Sequence, residues 1–135
     1  MRGGISSYFA NKILNGIFRY NLFELNEVYV GLCVTKSDGF GNTYVSEVDS
    51  DSYKRQAITC NMENFSYSTN GLISITSDIK FDVGDVGWGT ITHIAVYDKQ
   101  TNGEVLDYTR CVTPREATSN TSITIEKNAM HIQIS

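Results

Sequence analysis

His93 is the residue whose type and surroundings come nearest to a catalytic group in this chain of 135 residues. It lies in the segment Ile91–Tyr97, among aliphatic and aromatic side chains. A general base or a metal ligand in this position needs acidic or sulfur groups that converge on it. Asp98 follows five residues later and Cys111 lies in the predicted partner strand, so a hydrolase that uses His93 is one hypothesis. A core or interface histidine with one hydrogen bond is the favoured alternative, because catalytic groups need several aligned neighbours.

Two further segments have only part of a binding motif. The acidic segment Glu47–Tyr53 begins like a calcium loop, but Lys54 stands where the loop needs glycine and the closing glutamate is missing. The glycine-rich segment Gly84–Gly89 precedes a strand rather than a helix, so it lacks the helix N-terminus that binds phosphate. His131 lies on the polar side of a different strand from His93. These patterns predict no enzyme, no metal site and no cofactor.

Trp88 and the eight tyrosines are the residues that could bind a sugar, because carbohydrates stack on exposed aromatic rings. Trp88 is the only tryptophan, and a single large aromatic residue more often anchors a core or a protein interface. Tyrosines are common both in strands and in interfaces. The composition therefore favours packing over sugar binding, which is kept as the alternative.

The overall composition indicates a folded domain with few functional specialisations. Hydrophobic residues make up 41% of the chain and charged residues 19%, with a net charge of −4. The 11 Lys and Arg residues are scattered, so no nucleic-acid partner is expected. No run of apolar residues is long enough for a membrane span, and no signal peptide is visible. Cys33, Cys60 and Cys111 lack the spacing of a metal site and predict buried free thiols made in a reducing compartment.

The first element predicted is an amphipathic helix over residues 6–19. Phe9, Ile13 and Ile17 recur at i, i+4 and i+8. The flanking features are a cap at Ser6 or Ser7, further apolar residues at Leu14 and Phe18, and a polar face of Asn11, Lys12, Asn15 and Arg19. A helix this short needs a packing partner, which is either the sheet or a neighbouring subunit. The apolar segment Tyr20–Leu25 has no regular period and is a candidate contact arm.

From Val28 onward, short alternating segments predict strands. About eight are expected, at residues 28–35, 43–48, 53–60, 72–77, 88–97, 103–111, 121–126 and 130–135. Pro114 is expected between strands, and Asn102-Gly103 is expected to supply the positive-φ positions of a hairpin turn. The fold class predicted is mainly β: an antiparallel β-sandwich with one N-terminal α-helix, in a single domain over residues 1–135 with the sandwich over 28–135.

Motifs spread from Tyr8 to Tyr108 carry a family resemblance. They are Ala10, Asn11 and Leu14 in the helix; Tyr29–Leu32; Glu47, Val48, Tyr53, Arg55 and Gln56; Trp88, Gly89, Thr90, Thr92 and His93; and Tyr97, Asp98, Gly103 and Leu106. With these motifs in this order, the chain is similar to a family of small structural proteins of tailed bacteriophages. Members of that family are labelled tail-fibre-like or minor structural proteins. In those relatives the corresponding segment is simpler and rich in Gly and Ser, whereas this chain has Asp49 and Asp51 there.

The resemblance implies a structural subunit of a phage virion that is made in the bacterial cytoplasm. Its partners would be other capsid or tail proteins, which it would join either as a capsid decoration or cement protein or as a tail, baseplate or fibre-associated adaptor. A homo-oligomer such as a trimer is expected, without nucleic acid or membrane. A receptor- or glycan-binding module of a tail fibre is the alternative.

The same resemblance assigns roles to individual residues. Tyr53, Arg55, Trp88 and His93 are interpreted as structural strand residues, and Arg55 is expected to pair with Glu47 across the intervening turn. The candidate interface residues are Phe9, Ile13, Ile17, Tyr20, Leu22, Phe23 and Leu25.

Overall fold

The computed structural model describes residues 7–20, 22 and 25–133, and most of its regular structure is strand. The elements are α1 (Ser7–Leu14), which continues as a π-helical segment (Asn15–Arg19), and β1 (Glu27–Ser37), β2 (Thr43–Glu47), β3 (Gln56–Thr59), β4 (Leu72–Ser74), β5 (Ile79–Asp82), β6 (Gly89–Tyr97), β7 (Val105–Ala117), β8 (Ser122–Ile125) and β9 (His131–Gln133). The predicted mainly-β class, with antiparallel sheets and one N-terminal helix, is confirmed. Nine strands lie in the described residues, where about eight were predicted.

The strand that the sequence pattern missed is β5. It has four residues, of which Ile79 and Phe81 are buried while Lys80 and Asp82 are exposed. The alternation is present, but it is too short to stand out beside the turn residues on either side. The predicted strand at 53–60 is also shorter, because β3 begins only at Gln56.

Pro114 lies within β7 and not between strands, so that prediction was wrong. β7 is an edge strand of its sheet, and β6 is the one described strand that pairs with it. Proline has no N–H to donate, and an edge strand tolerates it because one of its edges needs no partner. The pairing register between β6 and β7 also shifts at this point, between Ile91 and His93.

The chain forms two compact units. The first contains the described parts of residues 1–28, 58–79 and 125–135, and the second contains residues 29–57 and 80–124. The single domain over 1–135 stays a prediction. Among the described residues, neither helical segment is both long and apolar enough to cross a membrane.

In the first unit, the helix packs against β4, which pairs with β9. Ala10, Leu14 and Phe18 form its buried side, and the Phe18 ring lies 5.0 Å from the Phe65 ring. The last helical turn is wider than an α-turn, because the Tyr20 N–H donates to the Asn15 carbonyl at 3.0 Å. The predicted cap at Ser6 lies outside the described residues.

The polar face of the helix holds a turn in place. Asn11 Oδ1 accepts hydrogen bonds from the Ser68 hydroxyl at 2.5 Å and from the Gly71 N–H at 2.8 Å. Asn15 Oδ1 accepts one from the Ser68 N–H at 2.8 Å. Two asparagines of the predicted polar face therefore accept hydrogen bonds from backbone N–H groups of a neighbouring turn.

The second unit is built on a five-stranded sheet in the order β2-β1-β6-β7, with β3 also paired to β1. Within it, Cys33 of β1 lies opposite Glu47 of β2 and His93 of β6. Cys33, Ala95 and Tyr97 form a buried cluster on one sheet face. A separate pair, β5 and β8, completes the strands of this region.

Candidate functional site

Arg55 is a buried charged residue of the second unit, and only 8% of it is exposed. Its Nε and Nη2 each donate to one carboxylate oxygen of Glu47 at 2.8 Å, which is the bidentate geometry of a strong ion pair. Its Nη1 donates to the carbonyl oxygens of Lys99 and Asn102 at 2.7 Å each. The predicted pairing of Arg55 with Glu47 is present, although Arg55 lies just before β3 rather than inside a strand.

Two tyrosines complete what we call the Arg55 cluster, which consists of Glu47, Tyr53, Arg55 and Tyr97. The Tyr53 hydroxyl donates to Glu47 Oε2 at 2.5 Å and accepts from the Leu32 N–H at 3.0 Å. Burial raises the pKa of Tyr53, and the hydrogen bond to Glu47 raises it further. The Arg55 guanidinium lies 3.5 Å from the centre of the Tyr97 ring. Each polar group of the cluster thus has a protein partner.

Gly31 allows this cluster to pack closely on β1. A Cβ atom at this position would lie 2.7 Å from Tyr53 Oη, 2.8 Å from Glu47 Oε2 and 2.8 Å from a Tyr97 ring carbon. Any side chain here would therefore displace three members of the cluster at once.

The cluster holds the turn between β6 and β7. Asn102 and Gly103 have φ values of 56° and 75°, so the predicted positive-φ turn is confirmed. Arg55 donates to carbonyl groups of this turn, and Gln100 Nε2 donates back to the Arg55 carbonyl at 2.7 Å. Buried Arg55 is therefore hydrogen-bonded in both directions to the turn of the β6–β7 hairpin.

Trp88 lies directly before β6 and is 8% exposed. Its indole N–H donates to Ser52 Oγ at 3.0 Å, and its ring meets the Tyr53 ring edge-on at 5.4 Å. An indole so enclosed offers little surface for a sugar to stack on. The aromatic side chains with open surface are those of Tyr8, Phe9, Tyr20, Phe40, Tyr44, Tyr67 and Tyr108.

His93 lies in β6, opposite Arg110 of β7. Its Nδ1 lies 2.9 Å from the Thr92 hydroxyl, and its ring stacks on the Tyr108 ring at 5.0 Å. The hydrolase hypothesis requires Asp98 or Cys111 within hydrogen-bond reach of His93. Asp98 Oδ1 instead accepts from the Glu104 N–H at 2.8 Å, and the side-chain partner of His93 is Thr92 and not Cys111. Within the described ranges, no three His, Cys, Asp or Glu side chains gather as a metal site would require.

A shallow cavity of about 260 Å³ lies beside His93 on the same unit. Its wall includes the hydroxyls of Thr35 and Thr92, which are 2.8 Å apart, and the side chains of Arg110 and Tyr44. Hydroxyl and guanidinium groups in a cavity of this size are suited to hydrogen bonds with a small polar molecule.

The candidate interface residues of the helix do not form its buried side. Phe9 is 55% exposed, Tyr20 47% and Leu22 71%. Three others, Ile13, Ile17 and Leu25, are half-buried. Phe23 lies outside the described residues. We use the term helix surface for Phe9, Ile13, Ile17, Tyr20 and Leu22.

Arg19 and Tyr67 extend the helix surface beside Tyr20. The Arg19 guanidinium lies 3.5 Å from the centre of the Tyr67 ring and 5.3 Å from that of Tyr20. Its Nη1 donates to the Tyr20 hydroxyl at 3.0 Å and its Nε to the Phe65 carbonyl at 3.3 Å. The hydrogen bond to Arg19 lowers the pKa of Tyr67, which is 66% exposed. Sequence reasoning missed Tyr67, because no local period links it to the helix.

The cysteines should differ in reactivity. All three lie within the described ranges as free thiols, with Cys33 and Cys60 buried and Cys111 half-exposed. Burial raises the pKa of Cys60 to about 11, so on the order of 0.1% of it is thiolate at pH 8. In dilute native protein we expect iodoacetamide to label Cys111 alone, and all three thiols after unfolding. Peptide mass spectrometry checks this, and early labelling of Cys60 would contradict it.

The chain matches one family model, described as Podophage GP4 fiber I protein gp80, over residues 4–133. No curated protein matches the chain. The match covers nearly the whole sequence, including the segments of the helix, the Arg55 cluster and the β6–β7 hairpin.

Proposed function

The chain belongs to the family of the podophage GP4 fiber I protein gp80, whose members are fibre components of the phage virion, and from this membership we propose that it docks onto other virion proteins through its helix surface. The fibre description supports a fibre-associated position over a capsid decoration. The partner is then another protein of the fibre or the tail to which the fibre is attached. The action is structural: the chain works by surface complementarity, and many copies strengthen the attachment through multivalency.

The arrangement of Arg19, Tyr20 and Tyr67 is the observation that carries this proposal. Tyrosine and arginine are enriched among the residues that dominate binding energy at protein interfaces. Here the Arg19 side chain is already held between two rings and a backbone carbonyl. Such preorganisation reduces the side-chain entropy that binding would otherwise cost. An exposed group ordered in this way, at the end of a helix that also exposes Phe9, is suited to protein docking.

Removing the two tyrosine rings tests the proposal in the phage that encodes the chain. We expect the double variant Tyr20→Ala, Tyr67→Ala to enter virions at least tenfold less than the wild type, because interface hot spots contribute about 2 kcal/mol or more each. Purified particles are probed by quantitative immunoblot. Tyr20 is 47% exposed and Tyr67 66%, so the melting temperature of the isolated protein should change little.

Phe40→Ala is the matched control, since Phe40 is 89% exposed and belongs to the second unit, not to the helix surface. This variant should enter virions normally. Normal incorporation of the double tyrosine variant would overturn the proposal. Equal losses in both variants would also overturn it, because exposed aromatic rings in general would then be responsible.

A further inference from the structure

The cavity beside His93 lies where the pairing of β6 is irregular on both of its sides. The register of β6 with β1 shifts between Cys33 and Val34. Its register with β7 shifts between Ile91 and His93. Both shifts leave Thr92 without a paired residue, and bulges of this kind are common beside functional sites because they redirect side chains. The cavity wall comes entirely from strands, namely β1, β2, β6 and β7, so a rigid sheet positions its side chains.

The cavity wall has one fixed positive charge and no negative one. Arg110 is exposed in it, and the Arg110 side chain makes no hydrogen bond or ion pair within the described residues. His93 is paired with Arg110 in register, so the two side chains project from the same face of the sheet. No Asp or Glu lines the cavity among the described residues, although the whole chain has a net charge of −4. A guanidinium without a protein carboxylate beside it favours an anionic ligand.

Next to these cationic groups, the cavity wall has a row of hydroxyls. The hydroxyl oxygens of Thr35 and Thr92 are 2.8 Å apart, and that of Thr92 is 2.9 Å from His93 Nδ1. Each hydroxyl has one proton and two lone pairs, so this row keeps hydrogen-bonding capacity for a bound molecule. The remaining wall residues, which add two hydroxyls, an aromatic ring and apolar contacts, are Thr43, Tyr44, Val45 and Pro114.

We propose that this cavity binds a small monocarboxylic acid with several hydroxyl groups, the chemistry of a hexuronic acid. Arg110 binds the carboxylate through its planar fork, and the hydroxyls of Thr35 and Thr92 bind those of the ligand. One fixed positive charge matches a singly charged carboxylate better than a doubly charged phosphate. The exposed ring of Tyr44 is available to cover the C–H groups of the ligand.

The size of the cavity limits the ligand to about one sugar ring. Its volume of about 260 Å³ is below the range of about 300–1,000 Å³ that is typical of pockets for drug-sized ligands. The site goes beyond the docking proposal, because its wall belongs to the second unit and the helix surface to the first. It also differs from a sugar site at Trp88, whose indole is enclosed.

An amide NMR titration of the purified full chain with sodium glucuronate tests the proposal. A ligand of this size is expected to bind with a Kd on the order of 1 mM. The amide signals that shift should be those of the cavity wall. Glucose has the hydroxyls alone and acetate has the carboxylate alone, so each should bind at least tenfold more weakly at the same sodium concentration.

Two variants separate the charge from the hydroxyls. Arg110→Ala should weaken glucuronate binding at least tenfold, and folding should be retained because Arg110 is exposed and has no partner to lose. Thr35→Val should weaken it about fivefold, the effect of one hydrogen bond, and should leave acetate binding unchanged. Lys36→Ala is the matched control, because it removes one positive charge from an exposed β1 residue outside the cavity wall. This variant should bind glucuronate normally.

The proposal is overturned if glucuronate shifts none of the wall signals at tens of millimolar. Equal losses in Arg110→Ala and Lys36→Ala would also overturn it, because overall charge would then explain the binding. Glucose binding as tightly as glucuronate would contradict the role of Arg110, and acetate doing so would contradict the role of the hydroxyls. Tighter binding of inorganic phosphate would overturn the choice of a monocarboxylate.

Discussion

An Arg55→Met chain is expected to unfold with a free energy about 3–5 kcal/mol lower than the wild type. Methionine keeps much of the volume of the arginine stem but none of its N–H groups. The Glu47 carboxylate, whose side chain is only 25% exposed, would lose its bidentate partner. The carbonyl groups of Lys99 and Asn102 would lose their donor as well. Urea denaturation followed by circular dichroism measures the difference.

Lys80→Met is the matched control for this experiment. Lys80 and Asp82 form the second ion pair among the described residues, with nitrogen and oxygen 3.7 Å apart and side chains 63% and 81% exposed. An exposed pair of this kind contributes about 0–1 kcal/mol. If Arg55→Met costs no more than Lys80→Met, the Arg55 cluster does not hold the β6–β7 hairpin as its geometry indicates.

The second large effect is expected in the first unit, where Phe65→Ala should lower the free energy of unfolding by about 3–5 kcal/mol. Phe65 is completely buried, and its ring packs 5.0 Å from that of Phe18 on the helix. Removing it deletes apolar contacts and leaves a cavity, and both effects destabilise the folded state. The same denaturation assay applies, with the helical signal as a second readout.

Met62→Ala serves as the control, because Met62 is 62% exposed in the same unit and its truncation opens no internal cavity.

Phe65→Ala and Arg55→Met also test the predicted single domain, since the two residues lie in different units. In a single cooperative domain, each variant shifts one common transition. Two separate transitions, each moved by one variant alone, would contradict the single-domain prediction.

The fold class and several local features could be predicted because they depend on short-range pattern. Asn102-Gly103 predicted a positive-φ turn because few other residue pairs adopt that geometry at low cost, and the structure has it. Glu47 and Arg55 lie close in the sequence on either side of a turn, so their pairing was a short-range inference as well. The family could also be predicted from the sequence, because its motifs extend along most of the chain.

Other features could not be read from local pattern. Phe9, Ile13 and Ile17 have the spacing of a buried stripe, yet the buried side of the helix is Ala10, Leu14 and Phe18. Two stripes of the same period lie side by side on this helix, and only its packing partner selects between them. Asn11 and Asn15 face a turn that comes more than 50 residues later, which no helical period could reveal.

The sequence by itself determined the strand-rich class, the turn chemistry and the family, because each depends on residue preference within a few positions. Only the tertiary structure decided which residues are exposed on a surface and which are held inside it. Tyr67 joins Arg19 on the helix surface, Trp88 is enclosed, and β7 is left with an open edge around Pro114. These outcomes depend on which distant segments pack together, and burial is a property of that packing rather than of any single stretch of chain.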